Sequence, residues 1–302
     1  MTPSTDTNLV LDVPAHRIRR RAVAYFELTK PRIVAMILLT TAAGFYLGTQ
    51  GTPDYLVLLH TLIGTALVGG GTLALNQLME READALMVRT RTRPLPDGRL
   101  LPVDALVFSL ILTIGGLAYL AWASLWRSAL ITSLITVTYL LMYTPLKQRT
   151  SLCSIVGAVP GALPPVIGWA AVRGSLGIEA WILFTIMFLW QMPHSLAIGW
   201  LYREDFAKAK FCLLPVIDPT GKATGRQVVL NCALLFAVGF LPVLTGFAGM
   251  GYGIAAFFLG GLFLWYGISF ARSCSTVAAR QLLFASLIYL PAILTALAWD
   301  RL

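Results

Sequence analysis

The sequence predicts an all-α polytopic membrane bundle of about nine transmembrane helices. Mean hydropathy is +0.76 and only 12% of residues are charged, about half the share in soluble domains. The apolar runs are continuous rather than alternating, which selects helices over barrel strands. The cations are also sorted by side. If the N-terminus is cytoplasmic, every Lys and Arg of the 23 except Arg127, Arg173 and Arg301 falls on the cytoplasmic side, as the positive-inside rule requires.

A helical span needs about 20 apolar residues. Nine such runs are expected at 33–50, 56–78, 104–124, 128–143, 152–172, 179–201, 228–248, 251–271 and 281–299. The fourth is short. The fifth carries Pro160, Gly161, Pro164 and Pro165 and is expected to be a broken helix, tolerated where it lines a cavity. The sixth holds Pro193, which removes a backbone donor and should kink the helix beside His194. Gly69, Gly70 and Gly71 in the second span leave room for a helix or a flat ligand to approach. Residues 1–24 are expected to form a flexible cytoplasmic tail, and 25–302 a single intramembrane domain. The basic cluster has no apolar stretch behind it until Ile33, which argues against a cleaved signal peptide. No Arg-rich amphipathic presequence stands at the extreme N-terminus. The expected location is therefore a bacterial plasma membrane. The net charge of +9 follows from orientation and phosphate binding and implies no nucleic-acid partner. The four cysteines are scattered, without disulfide or zinc spacing.

The chemistry concentrates between Asn76 and Leu95, NQLMEREADALMVRTRTRPL. Asn76, Glu80 and Asp84 are spaced four apart, so on a helix their oxygens form one stripe. A row of oxygen ligands suits a hard cation such as Mg²⁺, which ordinarily bridges to phosphate. Arg89 and Arg93 suit a polyanion. Acids at the end of a membrane span are costly without a function, so the stripe reads as a diphosphate site at the membrane boundary. Opposite it, Tyr202-Arg203-Glu204-Asp205 closes the 179–201 span, and Asp205 is the best candidate for a further Mg²⁺ ligand. In Tyr143-Thr144-Pro145-Leu146-Lys147, Lys147 could bind phosphate and Tyr143 could face a carbocation. His194 is an ionisable group in or near the membrane, a functional candidate by default. Glu27, Lys30, Pro31 and Arg32, ahead of the first span, either anchor the helix at the membrane surface or contribute to the mouth of the site.

Several segments together resemble the haem branch of the UbiA-type superfamily of intramembrane prenyltransferases, the protohaem IX farnesyltransferases. They are LTKPR at 28–32, the Asn76–Glu80–Asp84 stripe, RTRPLP at 91–96, YTPLK at 143–147, PGALPPVIGW at 160–169, WQMPH at 190–194 and YREDFAKA at 202–209. The resemblance runs from about residue 25 to 300. It implies nine helices around a central cavity, with farnesyl diphosphate and haem B as substrates, haem O as product and Mg²⁺ as cofactor. By the same resemblance Asn76, Glu80 and Asp84 are the first metal–diphosphate motif and Asp205 lies in the second acidic region. Arg89, Arg93 and Lys147 are phosphate contacts, and His194 is a haem contact. Read from the residues themselves, Tyr143 and Arg203 are further substrate-binding candidates. Pathway logic adds a haem A synthase or a terminal oxidase assembly protein as a partner. The sequence departs from the superfamily pattern at Glu80, where Asp is usual, and offers adjacent Glu204 and Asp205 instead of the aspartates four apart seen in aromatic prenyltransferases. A UbiA-type enzyme acting on a quinone precursor, and a non-catalytic transporter or lipid-phosphate-binding protein, are the alternatives.

Overall fold

A computed structural model describes residues 14–302 except Ser124, and their side chains from Arg19 onward. Nine helices among them are long and apolar enough to cross a membrane, and no strand forms beyond an isolated bridge between Ala248 and Arg301. The chain is a multi-pass membrane protein. Large apolar side chains such as Ile111, Leu130, Phe258 and Ile288 are exposed, as lipid-facing surface must be.

Helix α1 (Pro14–Leu28) precedes the spans. Residues 14–24, expected in a flexible tail, are therefore helical, and residues 1–13 of that expectation lie outside the described residues. The Leu28 end of α1 is anchored inside the bundle. Ala24 and Leu28 are fully buried, and Gln77 Nε2 donates to Leu28 O at 2.8 Å. Helix α2 (Pro31–Gly48) opens with Pro at its first position, where the missing N–H costs nothing. Helix α3 (Tyr55–Met79) is capped by Asp54, whose carboxylate accepts from Leu56 N and Val57 N. A short helix α4 (Arg81–Leu86) and a tight loop lead to α5 (Pro102–Trp122). Gly71 serves this contact. A Cβ there would run into Thr113 and Ser109 of α5, so of the three glycines expected to admit a helix or a flat ligand, Gly71 admits a helix.

The fourth span joins α6 (Trp126–Val137), a π-turn over Thr138–Tyr143 and α7 (Thr144–Leu146). Pro145 has no N–H to offer Leu141, and Thr144 Oγ1 reaches back to Tyr139 O at 2.9 Å. Such bulges occur where the i→i−4 ladder is interrupted, often at functional sites. The fifth span is broken as expected, into α8 (Cys153–Ala162) and α9 (Pro164–Val172). Helix α10 (Ile178–Leu201), by contrast, runs as one element through Pro193. Short helices α11 (Arg203–Lys208) and α12 (Leu214–Ile217) precede α13 (Lys222–Val238) and α14 (Leu241–Leu244). Helices α15 (Met250–Ser273) and α16 (Thr276–Trp299) complete the bundle. The main core lies among α10, α13, α15 and α16.

Helix α13 starts on a carboxylate. Asp218 accepts from Thr224 N at 2.8 Å, Thr224 Oγ1 at 3.0 Å and Thr220 Oγ1 at 3.0 Å. Its burial works upward on its pKa, but these donors outweigh it and hold the carboxyl below the usual range. A carboxyl depressed in the folded state contributes stability that is present above its unfolded pKa and lost as pH falls through the folded value. Asp218→Ala should lower stability by about 1–2 kcal/mol at neutral pH. The difference from wild type should shrink on acidification below about pH 4, in thermal melts across a pH series.

Candidate active site

The end of the bundle that carries the 79–101 and 202–221 loops holds a cavity of about 380 Å³. Its walls include Lys30, Asn76, Glu80, Asp84, Arg89, Arg93, Tyr139, Tyr143, Lys147, Gly157, Gly161 and Gln191. The chain turns at Glu80 between α3 and α4, with φ −94° and ψ 6°. Hydrogen bonds from Glu80 N to Asn76 O at 3.0 Å and Asp84 N to Glu80 O at 2.8 Å carry the four-residue register through the turn. All three side chains of the stripe therefore stay on the cavity wall.

Each is buried and each is met by a cation. Asn76 Oδ1 accepts from Lys30 Nζ at 3.0 Å, and its Nδ2 donates to Thr144 Oγ1 at 3.1 Å, which fixes the amide orientation. Glu80 Oε1 pairs with Lys147 Nζ at 2.7 Å. Asp84 Oδ2 pairs with Arg93 at 2.6 Å, while its Oδ1 is buried without a partner. A buried carboxylate oxygen left unpaired is costly, and the most direct way to satisfy it is a cation. Two carboxylates and an amide oxygen in one row are a hard donor set of the kind Mg²⁺ takes together with phosphate oxygens. Among the described residues no cluster of three or more His, Cys, Asp or Glu could enclose a metal by itself, so phosphate ligands would complete the shell. The residues present fit a Mg²⁺–diphosphate group.

The cationic wall suits the same ligand. Burial, and then repulsion from Arg93, bring the Lys30 ammonium down to about 7, so an adjacent anion stabilises its charged form. Lys30 also has φ 52°, a left-handed conformation that costs a non-glycine residue about 1 kcal/mol or more. Pro31 fixes the start of α2 directly behind it. Arg89 lies over Tyr202 and Phe206, at 4.7 and 5.0 Å to the ring centroids. The aromatics Tyr139 and Tyr143 are 5.1 Å apart, and Lys147 sits 4.5 Å above Tyr143.

The structure thus brings together Asn76, Glu80, Asp84, Arg89, Arg93, Tyr143 and Lys147. Three other candidates are outside the cavity lining. Asp205 accepts from Val88 N at 3.3 Å and Arg89 N at 3.2 Å, with Lys208 at 3.6 Å. Its carboxylate ties α11 to the loop that aims Arg89, and these contacts hold it below the usual pKa range against the upward pull of its partial burial. Arg203 stacks on Trp200 at 4.5 Å and is exposed. His194 stacks on Trp190 at 5.1 Å, and its Nδ1 is 2.8 Å from Ser286 Oγ of α16. Tyr139 lines the cavity without having been singled out, and Gln191, quoted only within WQMPH and given no role, lines it too. The four-residue step from Tyr139 to Tyr143 was the available signal for the first.

Residues 37–288 match the sequence profile of the UbiA prenyltransferase family. The chain belongs to that family. Relatives agree along the whole length. The protoheme IX farnesyltransferase of Solibacter usitatus is 44% identical over 92% of this chain and 98% of its own. The protein of the same name in Koribacter versatilis is 42% identical over 96% and 97%. Solved structures share the fold of this UbiA-family chain at low identity. Digeranylgeranylglyceryl phosphate synthase superposes with a TM-score of 0.78 at 18% identity, covering 93% of this chain and 98% of that one. A UbiA homologue from Archaeoglobus fulgidus, bound to DMAPP and Mg²⁺, gives 0.59 at 16%, with 90% and 98% covered.

Proposed function

We propose that this UbiA-family prenyltransferase is a protohaem IX farnesyltransferase. It transfers the farnesyl group of farnesyl diphosphate to a vinyl group of haem B, with addition of water, to give haem O and diphosphate. The observation that carries this reading is full-length identity of 44% to a protein of that name. The cavity supports it by presenting an oxygen stripe and four cations to one anionic group.

In this reading Asn76, Glu80 and Asp84 would hold Mg²⁺. Bound there, the ion would draw charge from the departing diphosphate. Lys30, Arg89, Arg93 and Lys147 orient the diphosphate and stabilise the charge that develops as the C–O bond breaks. Tyr139 and Tyr143 offer π faces to the allylic cation. The apolar remainder of the cavity keeps bulk water from that cation until the haem vinyl carbon has attacked it. Asp205 positions Arg89 through the loop backbone. His194 remains the proposed haem contact, on the α10–α16 side. The distribution of cations supports a plasma-membrane protein with the N-terminus and the site loops in the cytoplasm.

The test is a product assay on purified protein with haem B, farnesyl diphosphate and Mg²⁺, with haem extracts read by liquid chromatography and mass spectrometry. Haem O is the expected product, and chelation of Mg²⁺ should stop its formation. Diphosphate release only with a phenolic acceptor would assign the chain to quinone-precursor chemistry. A folded preparation that leaves the diphosphate intact with every acceptor would overturn the enzymatic reading.

A further inference from the structure

The proposed reaction ends with a water molecule adding to a carbocation beside the porphyrin, and none of the residues assigned above handles that water. Gln191 is placed to do so. Its side chain lies in the cavity wall, on the helix α10 that faces the broken span. Nε2 is 2.6 Å from Ala158 O. A carbonyl oxygen can only accept, so the nitrogen must face Ala158, and this fixes the amide against the usual ambiguity of its two ends. Oε1 then lies against Gly161, about one turn further along the same helix α8. A Cβ on Gly161 would collide with it. Among the described residues no donor reaches the amide oxygen, although Gln191 and Gly161 both line the cavity.

Two of the polar groups in the same cavity lining are committed elsewhere. Ser195 Oγ donates to Met192 O at 3.0 Å, and Lys147 is engaged by Glu80. On the same face of α8 as Gly161, Gly157 packs against the ring of Tyr143, which connects this wall to the aromatic pair. Gln191 is ten residues before the Leu201 end of α10, about 15 Å along the helix. The haem-side cation forms two bonds from farnesyl C1, so the water that quenches it must be held within this same cavity.

We propose that Gln191 Oε1 binds and orients the water that adds to the haem-side cation, making it the residue that decides hydration over elimination. The inference rests on the proposed farnesyl transfer. In the step, the water oxygen forms the new C–O bond with the cationic carbon and an O–H bond breaks. The proton passes to the released diphosphate, and no oxidant or reductant is needed. Oε1 accepts a hydrogen bond from the water and turns its lone pair towards the carbon. Without that acceptor, the cation instead loses a proton from the adjacent carbon and closes to an alkene, a product lighter by one water.

The experiment compares the haem products of wild type, Gln191→Leu and Gly161→Ala by mass spectrometry. The readout is the ratio of alkene to haem O, which is independent of how much active protein each preparation contains. Wild type should yield haem O, which also tests the underlying reaction. Gln191→Leu should raise the alkene ratio on the order of tenfold. Gly161→Ala should move it in the same direction, because the methyl displaces Oε1 while the glutamine remains. Haem O from wild type together with an unchanged ratio in the variants would overturn the role of Gln191 and leave the farnesyl transfer standing. Absence of both products from wild type would overturn the parent reading instead.

Discussion

Asp84→Asn is expected to lower turnover by about 10³-fold while the protein still folds. Asp84 is the most enclosed acid of the stripe, 1% exposed, and carries a buried oxygen with no protein partner. The substitution keeps the shape and removes the charge, so the loss falls on the electrostatic stabilisation of the departing diphosphate. The Arg93 partner is left without its counter-ion. Its side chain is 29% exposed, so the stability loss should be below the roughly 3–5 kcal/mol of a fully buried broken pair. Haem O formation and a thermal melt in the same detergent separate the two effects. Asp205→Asn supplies the contrast. Its carboxylate holds the Val88 and Arg89 amides, so its removal should act mainly on KM for the diphosphate, through Arg89. Loss of turnover as deep as that of Asp84→Asn would make Asp205 a metal ligand. Near-normal turnover of Asp84→Asn would sink the assignment of the stripe.

Much of this was legible in the chain, because the relevant signals are local. The nine apolar runs, the cation asymmetry and the four-residue spacing of Asn76, Glu80 and Asp84 each depend on neighbours along one helix. The stripe survived even the turn at Glu80, since the hydrogen bonds on either side of it keep the helical register. What stayed hidden depends on contacts between distant segments. Asp205 carries the composition of a metal ligand, and only tertiary packing turns it towards backbone 117 residues away in sequence. His194 lies one position before the cavity-lining Ser195, and a rotation of about 100° per residue is enough to direct it to α16 instead. The orientation of Gln191 follows from Ala158 O, which no spacing rule reports.

Gly168→Ala is expected to destabilise the protein by about 3 kcal/mol, the largest effect foreseen away from the site. Helices α2 and α9 cross with their backbones nearly in contact. A Cβ at Gly168 would overlap Thr41 O and stand 2.5 Å from Phe45 N. At the reciprocal position, a Cβ at Gly44 would overlap Pro165 O. These obstacles are main-chain atoms within helices, which cannot swing aside as a leucine side chain would, so one methyl must push two helices apart. In a membrane this matters more than the added apolar surface could return, because lipid tails solvate that surface as well as protein does and close packing drives the association. Gly115→Ala is the control, since nothing lies within 4 Å of a Cβ built there. Helix propensity alone then predicts no loss. Thermal unfolding in one detergent should show a lower midpoint for Gly168→Ala and an unchanged or higher one for Gly115→Ala. Equal midpoints would mean that α2 and α9 can separate at little cost. The broken fifth span would then be free to move relative to the first, and with it the α8 wall that carries Gly157 and Gly161 into the cavity.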